Sequence, residues 1–316
     1  MVLRVIAAQQ RGWRGFFTFA SVLCAVLFAD LQNGATAQLA ADEAAETKGP
    51  AVAERYVLPI TPPLEQGDSD LCWVYSTLSM LETNYKVRHP RSRITLSRGA
   101  VQRAAIADRF RRRIRGQPVR LEEGGVAVEA LALIRKHGLV ARDDFHHAAA
   151  SDPLYASIAR KLAGTPDPAL KQRVLEQELE KRLGAKPPTT HLDGQAVSPE
   201  QLAEDVLGHE RWIEFDRSRD GVQGWGPSRD PDARPETRVV YVKLDRMTAL
   251  IHRSLAKGKA VVAGTADHAF VIYGADYDKN GKPLSYLIKD SLPPFTRRAG
   301  AEEFAANLND VTVAPD

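Results

Sequence analysis

The apolar pattern of this chain changes period partway along, and that change constrains the fold more than any other feature. Over the first two thirds, apolar residues recur at helical spacing. Leu71, Val74, Leu78, Leu81 and Tyr85 mark one face of a buried helix, with Asp68, Ser69 and Asp70 as candidate N-caps. A second helical stretch covers 97–115 and ends in the basic run Arg109 to Arg115, which reads as a solvated face. Gly124-Gly125 breaks the chain before a third, carried by Val128, Leu131, Leu133, Ile134 and Leu139, with Gly138 as its stop. Residues 143 to about 190 are polar and helical in pattern until Lys186-Pro187-Pro188. Ser198-Pro199-Glu200-Gln201 starts another helix, with proline at its first position and an acid in its first turn. Residues 216–237, full of Arg, Asp, Gly and Pro, read as a long loop. Strand patterns then take over. Val239–Val242 is a short strand, and Asp245 caps a helix bearing Met247, Leu250, Ile251 and Leu255 that stops at Gly258. Lys259–Ala263, Ala269–Tyr273 and Leu284–Lys289 are strand candidates, the last two joined through the hairpin dipeptide Asn280-Gly281. Helices first and an antiparallel sheet after predict an α+β fold in two lobes, mainly helical over 56–215 and β-rich over 216–316.

The chain's start follows a different logic. Arg4, Arg11 and Arg14 precede an apolar run from Phe16 to Ala29, and Ala35-Thr36-Ala37 places small residues where a signal peptidase reads. The run is short for a membrane span, which needs about 20 apolar residues. Residues 1–37 are therefore expected to be a signal peptide and 38–55 a mobile leader. That implies an exported protein, periplasmic or secreted; an uncleaved membrane anchor is the alternative. The chain has two cysteines, Cys24 and Cys72, and cleavage would discard Cys24. Cys72 would then be a lone thiol, unable to form an internal disulfide. Lys and Arg number 43 against 40 Asp and Glu, too balanced for nucleic-acid binding as the main function.

Cys72 falls in the first turn of its helix, where the helix dipole favours thiolate, the nucleophilic form. Its surroundings read Gln66-Gly67-Asp68-Ser69-Asp70-Leu71-Cys72-Trp73-Val74-Tyr75-Ser76. This segment resembles the papain family of cysteine peptidases, in which a Gln stands six residues before the nucleophile and a Trp directly follows it. Acyl transfer develops negative charge on a carbonyl oxygen, and two preset donors stabilise it. The resemblance implies that the Gln66 amide and the Cys72 backbone N–H fill that role. Asp267-His268-Ala269-Phe270-Val271-Ile272-Tyr273-Gly274 is similar to the family's segment carrying the base, which makes His268 the proton shuttle. Seven other histidines, His89, His137, His146, His147, His191, His209 and His252, lack such a context, and His146-His147 reads as surface polar rather than as a metal site.

Tyr286-Leu287-Ile288-Lys289-Asp290-Ser291 is similar to the family's third segment, with Asp290 where an Asn orients the imidazole. A carboxylate accepts from the ring N–H as well as an amide does. Leu292 replaces the Trp that normally shields this contact. Leu96-Ser97 matches the start of the family's next helix. Glu123-Gly124-Gly125 resembles its glycine wall, where substrate pairs with backbone. The implied catalytic set is Cys72, His268, Asp290 and Gln66, and the implied substrate contacts are Gly124, Gly125, Trp73 and Asp267. Gly124 to Phe145 and Ser198 to Gly208 are nearest the bleomycin hydrolase and bacterial aminopeptidase C branch. No metal or cofactor is implied. The partner is a peptide or protein substrate, and a membrane is met only in transit. An amidase or acyltransferase would use the same site. A catalytically quiet domain that binds peptides is the reading from a different class.

Overall fold

The computed structural model describes residues 51–146, 153–219, 221–229 and 237–314. The expected signal peptide, most of the leader, Cys24 and His147 lie outside the described residues. The first element among the described residues is β1 (Glu54–Val57), which starts in the last two residues of the segment read as leader. Helix α1 (Cys72–Arg88) follows, with 12 of its 17 residues buried, so it runs through the interior rather than across a surface. Its polar members are satisfied internally: the Thr77 and Thr83 hydroxyls donate to the carbonyls of Trp73 and Ser79, one turn back. None of Asp68, Ser69 and Asp70 caps it. The N-cap is Leu71, without a side-chain hydrogen bond, because Ser69 Oγ donates to the Gln66 carbonyl instead.

Helix α2 (Arg98–Ile114) is capped by Ser97, whose hydroxyl accepts from the Ala100 amide. Helix α3 (Ala127–His137) ends at Gly138, whose φ of 74° is a left-handed conformation that suits glycine. A Cβ there would come 2.5 Å from the Pro199 carbonyl carbon, so glycine also permits the close approach of the next helix. Helices α4 (Pro153–Ala163) and α5 (Pro168–Leu183) pack on α2 around Ile106, Phe110, Ile158, Leu175 and Leu179. A small hairpin, β2 (Thr190–Leu192) with β3 (Gln195–Val197), precedes α6 (Pro199–Leu207), which starts at Ser198-Pro199 as expected.

The remaining chain supplies β4 (Ile213–Arg217), β5 (Gly224–Pro227), β6 (Arg238–Val242), α7 (Leu244–Ala256), β7 (Val261–Gly264), β8 (Ala269–Tyr277), β9 (Pro283–Lys289), β10 (Thr296–Gly300), α8 (Ala301–Asn307) and β11 (Asp310–Val313). These strands and β1 form one sheet in the order β10-β9-β8-β7-β11-β4-β6-β5, with β1 added against β8. The pairing is antiparallel except for β4 and β6, which run parallel. The stretch 216–237 is therefore not wholly loop, since β4 runs into it and β5 lies within it. Lys243, not Asp245, is the N-cap of α7. The β8–β9 turn is built by Asp278, whose carboxylate accepts from the Asn280 and Lys282 amides.

One face of the sheet packs on α1 through Val262 and Val271, in a cluster that α3 and α6 complete. The other carries α7 and α8 over Phe270, Ile272, Tyr286 and Ile288. The fold is α+β, with a helical part and a β-rich part meeting where α1 lies on β8. No helix among the described residues is long and apolar enough to cross a membrane.

Candidate active site

The junction between α1 and the sheet places Cys72 and His268 side by side. Cys72 is the first residue of α1, a free and partly exposed thiol. The first helical hydrogen bonds run from Val74 and Tyr75 to the Leu71 carbonyl. The Cys72 amide is not among the backbone donors satisfied there, as the start of a helix requires. His268 immediately precedes β8, and Asp290 immediately follows β9, its hairpin partner. This pairing brings residues 22 apart in sequence to 2.7 Å, from His268 Nε2 to Asp290 Oδ1. With Nε2 so engaged, the other ring nitrogen is left for Cys72, whose side chain lies near enough to favour the protonated ring.

His268 is pushed up to about 10, first by the Asp290 hydrogen bond, then by Cys72, against the opposing effect of burial. Asp290 is 5% exposed. Burial alone would raise its carboxyl. The hydrogen bond and charge of His268, the Leu292 amide and the Arg297 guanidinium outweigh burial and hold it below the usual carboxylate range.

A cleft of about 790 Å³ opens over the thiol. Gln66, Cys72, Gly124, Gly125, Asp267 and His268 all line it, whereas Asp290 lies behind His268. Gln66 Nε2 donates to the Ser69 carbonyl at 2.5 Å, which commits one of its two hydrogens. Its Oε1 accepts from Ser291 Oγ at 2.6 Å, and its backbone N–H donates to the Ser291 carbonyl. The segment before Cys72 is thereby fastened to the segment after Asp290. Asp267 sits on the exposed rim and accepts from the Thr265 hydroxyl.

Trp73 also lines the cleft, but at its base: it is 1% exposed, and its indole N–H donates to the Glu123 carbonyl. Its ring lies beneath Gly125, where a Cβ would stand 2.8 Å from Trp73 Cε2. Trp73 supports the glycine wall from below.

The basic run of α2 corrects an expectation in part. Arg109 and Arg112 are buried, whereas Arg113 and Arg115 are exposed as a solvated face requires. Arg109 donates to the carbonyls of Glu122 and Gly124 and to Tyr155 Oη, and its guanidinium lies 5.8 Å from the Trp73 ring. It clamps the wall from inside. The sequence did contain a sign of this, because Arg109 continues the buried row of Val101 and Ala105 at intervals of four. Glu123 is a third support, accepting from Gln102 Nε2 and from the Asp70 amide just ahead of Cys72.

The other described histidines do not line the cleft. His191 pairs with Asp144 and His252 with Glu54. No group of His, Cys, Asp and Glu among the described residues is arranged to hold a metal ion.

No family model and no curated protein matches this sequence. Solved structures do match. PepW from Lactobacillus rhamnosis is similar over 84% of this chain and 82% of its own, at 15% identity and a TM-score of 0.65. Xylellain, a cysteine protease from Xylella fastidiosa, matches over 85% of this chain and 91% of its own, at 13% identity and a TM-score of 0.36. The bromelain protease from Ananas comosus matches over 80% and 92%, also at 13% identity and a TM-score of 0.36. Resting on the PepW match, the chain has the α+β fold of the papain-like cysteine peptidases.

Proposed function

We infer that this chain is a cysteine peptidase acting on peptide or protein substrates. The observation that carries the reading is the line from Cys72 through His268 to Asp290 at the floor of an open cleft. In the reaction, Cys72 Sγ bonds to the substrate carbonyl carbon and its proton resides on His268. The carbonyl π electrons move to oxygen, where the Cys72 amide and the remaining Gln66 Nε2 hydrogen receive them. Collapse of this intermediate breaks the C–N bond, and His268 gives its proton to the departing amine. A thioester remains. Water then attacks it with His268 as base, returning the acid product and the free thiol. Asp290 keeps the imidazole in the orientation both half-reactions need. Gly124 and Gly125 present backbone to an extended substrate at the cleft edge.

The test is labelling of Cys72 by iodoacetamide at neutral pH, with the labelled peptide quantified. Labelling well above that of a free thiol, slowed about 100-fold in His268→Ala, is the expected result. A rate equal to that of an ordinary thiol overturns the reading. Cys72→Ala is expected to abolish hydrolysis of small peptide amides, and turnover persisting in it excludes the assignment.

A further inference from the structure

Asp290 carries more charge than its position needs. A buried carboxylate beside the imidazole stabilises the imidazolium strongly, yet the reaction requires His268 to give its proton to the departing amine and then to serve as base toward water. The structure supplies a counterweight. Asp290 Oδ1 accepts from His268 Nε2 at 2.7 Å and from the Ser291 and Leu292 amides at 2.7 and 3.1 Å. Asp290 Oδ2 faces Arg297 Nη1 at 3.4 Å.

Arg297 comes from β10, which the Asp290 amide to Phe295 carbonyl hydrogen bond folds back alongside β9. Its guanidinium lies 5.5 Å from the centre of the Phe270 ring, which is itself 6.2 Å from the His268 ring. Leu292, in the place of a shielding aromatic residue, is 36% exposed and leaves this side open. The other charged neighbours are engaged elsewhere: Lys289 donates to Thr61, Arg298 pairs with Asp276, and Asp267 accepts from Thr265 on the rim. The charged or titratable groups facing the His268–Asp290 contact are thus Cys72 on one side and Arg297 on the other.

We propose that Arg297 is a positioning residue that divides the charge of Asp290 between itself and His268 and lies along the contact left open by Leu292. The inference rests on the peptidase reading above. Asp290 and Arg297 act together as the near-neutral partner of the imidazole. Withdrawing the guanidinium gives the whole carboxylate charge to His268 and makes its ring hold a proton to higher pH.

The experiment is the pH profile of Cys72 alkylation by iodoacetate in the full chain. This anionic reagent reacts fastest while His268 is protonated, so the basic limb reports loss of that proton. Arg297→Gln is expected to move the basic limb up by about one pH unit. Arg297→Lys, which keeps the charge, should leave it within a few tenths of a unit. In an Asp290→Asn background, Arg297→Gln should move the limb by less than half as much, because no carboxylate charge remains to divide. The Arg297 side chain is 37% exposed on an edge strand, a position that tolerates both replacements. A basic limb unmoved by Arg297→Gln overturns the proposal. So does an equal shift in both backgrounds, which would make Arg297 a distant charge acting independently of Asp290. A wild-type profile with no basic limb, rising like that of a simple thiol, overturns the peptidase reading and this inference together.

Discussion

His268 and Asp290 set each other's charge, and this should be readable as stability. The folded His268 holds its proton to about pH 10, well above the ordinary histidine value of 6.5. Its contribution is therefore complete below about pH 6.5 and is lost as pH rises toward 10. Asp290, lowered from 3.8, contributes above that pH and loses its share as pH falls through its folded value. The pair stabilises most between about pH 4 and 6.5. The gap in urea midpoint between wild type and His268→Ala should be widest near pH 6 and narrow by pH 10; a gap independent of pH would contradict the coupling. Gly125 is the other residue with a sharp expectation. Its Cβ would meet Trp73 at 2.8 Å, and Trp73, at 1% exposure, has no room to retreat. Gly125→Ala should cost about 1–3 kcal/mol in denaturant titrations. Cys72, His268 and Asp290 could be found in the sequence because each sits at an element boundary within a short patterned run. Arg297 could not, because its role depends on a carboxylate just after β9 and a ring from β8 that meet it only in space.

At the scale of elements, the helices were the more legible part. Their apolar faces and stops at Gly138 and Gly208 are written locally. The short strands were not. Gly224–Pro227 has no alternation, its Trp225 is 56% exposed, and only backbone pairing with β6 makes it a strand. The 190–197 hairpin is held partly by Thr190 and His191 reaching the Asp144 carboxylate, a partner 46 and 47 residues away that no local window contains. The solvated reading of the α2 basic run holds for Arg113 and Arg115 but not for Arg109 and Arg112, because charge does not by itself mean exposure. Arg109 stays buried because three oxygens receive its hydrogens, which offsets the cost of removing a cation from water. Arg109→Met strips the wall carbonyls of that donor and should raise KM about tenfold with little change in kcat. An equal fall in kcat would place the residue in the chemistry rather than in substrate binding.

The whole molecule is joined across its two parts by buried charge. Arg98 on α2 pairs with Glu82 on α1, whose other oxygen accepts from the Thr61 hydroxyl, and that hydroxyl accepts in turn from Lys289 on β9. Burial, offset in part by Glu82, lowers Lys289 to about 8. Glu82 itself is fully buried and held below its usual range by Arg98 despite that burial. Removing one partner from such a chain is severe, since the other charge stays in the interior. Arg98→Met should destabilise by about 3 kcal/mol in urea, without changing the residues that line the cleft. A loss below about 0.5 kcal/mol would mean that the pair is solvated in solution.

Strand order has a consequence for how the chain acquires its shape during synthesis. Asp310–Val313 lies between β7 and β4, bonded to both. Everything translated before it, Cys72 and His268 included, waits on a central strand that emerges from the ribosome some 240 residues after Cys72. Until then two sheet edges stand open toward one another. A nascent chain halted short of Asp310 should therefore bind holdase chaperones and yield to protease, and extending it past Val313 should abolish both together.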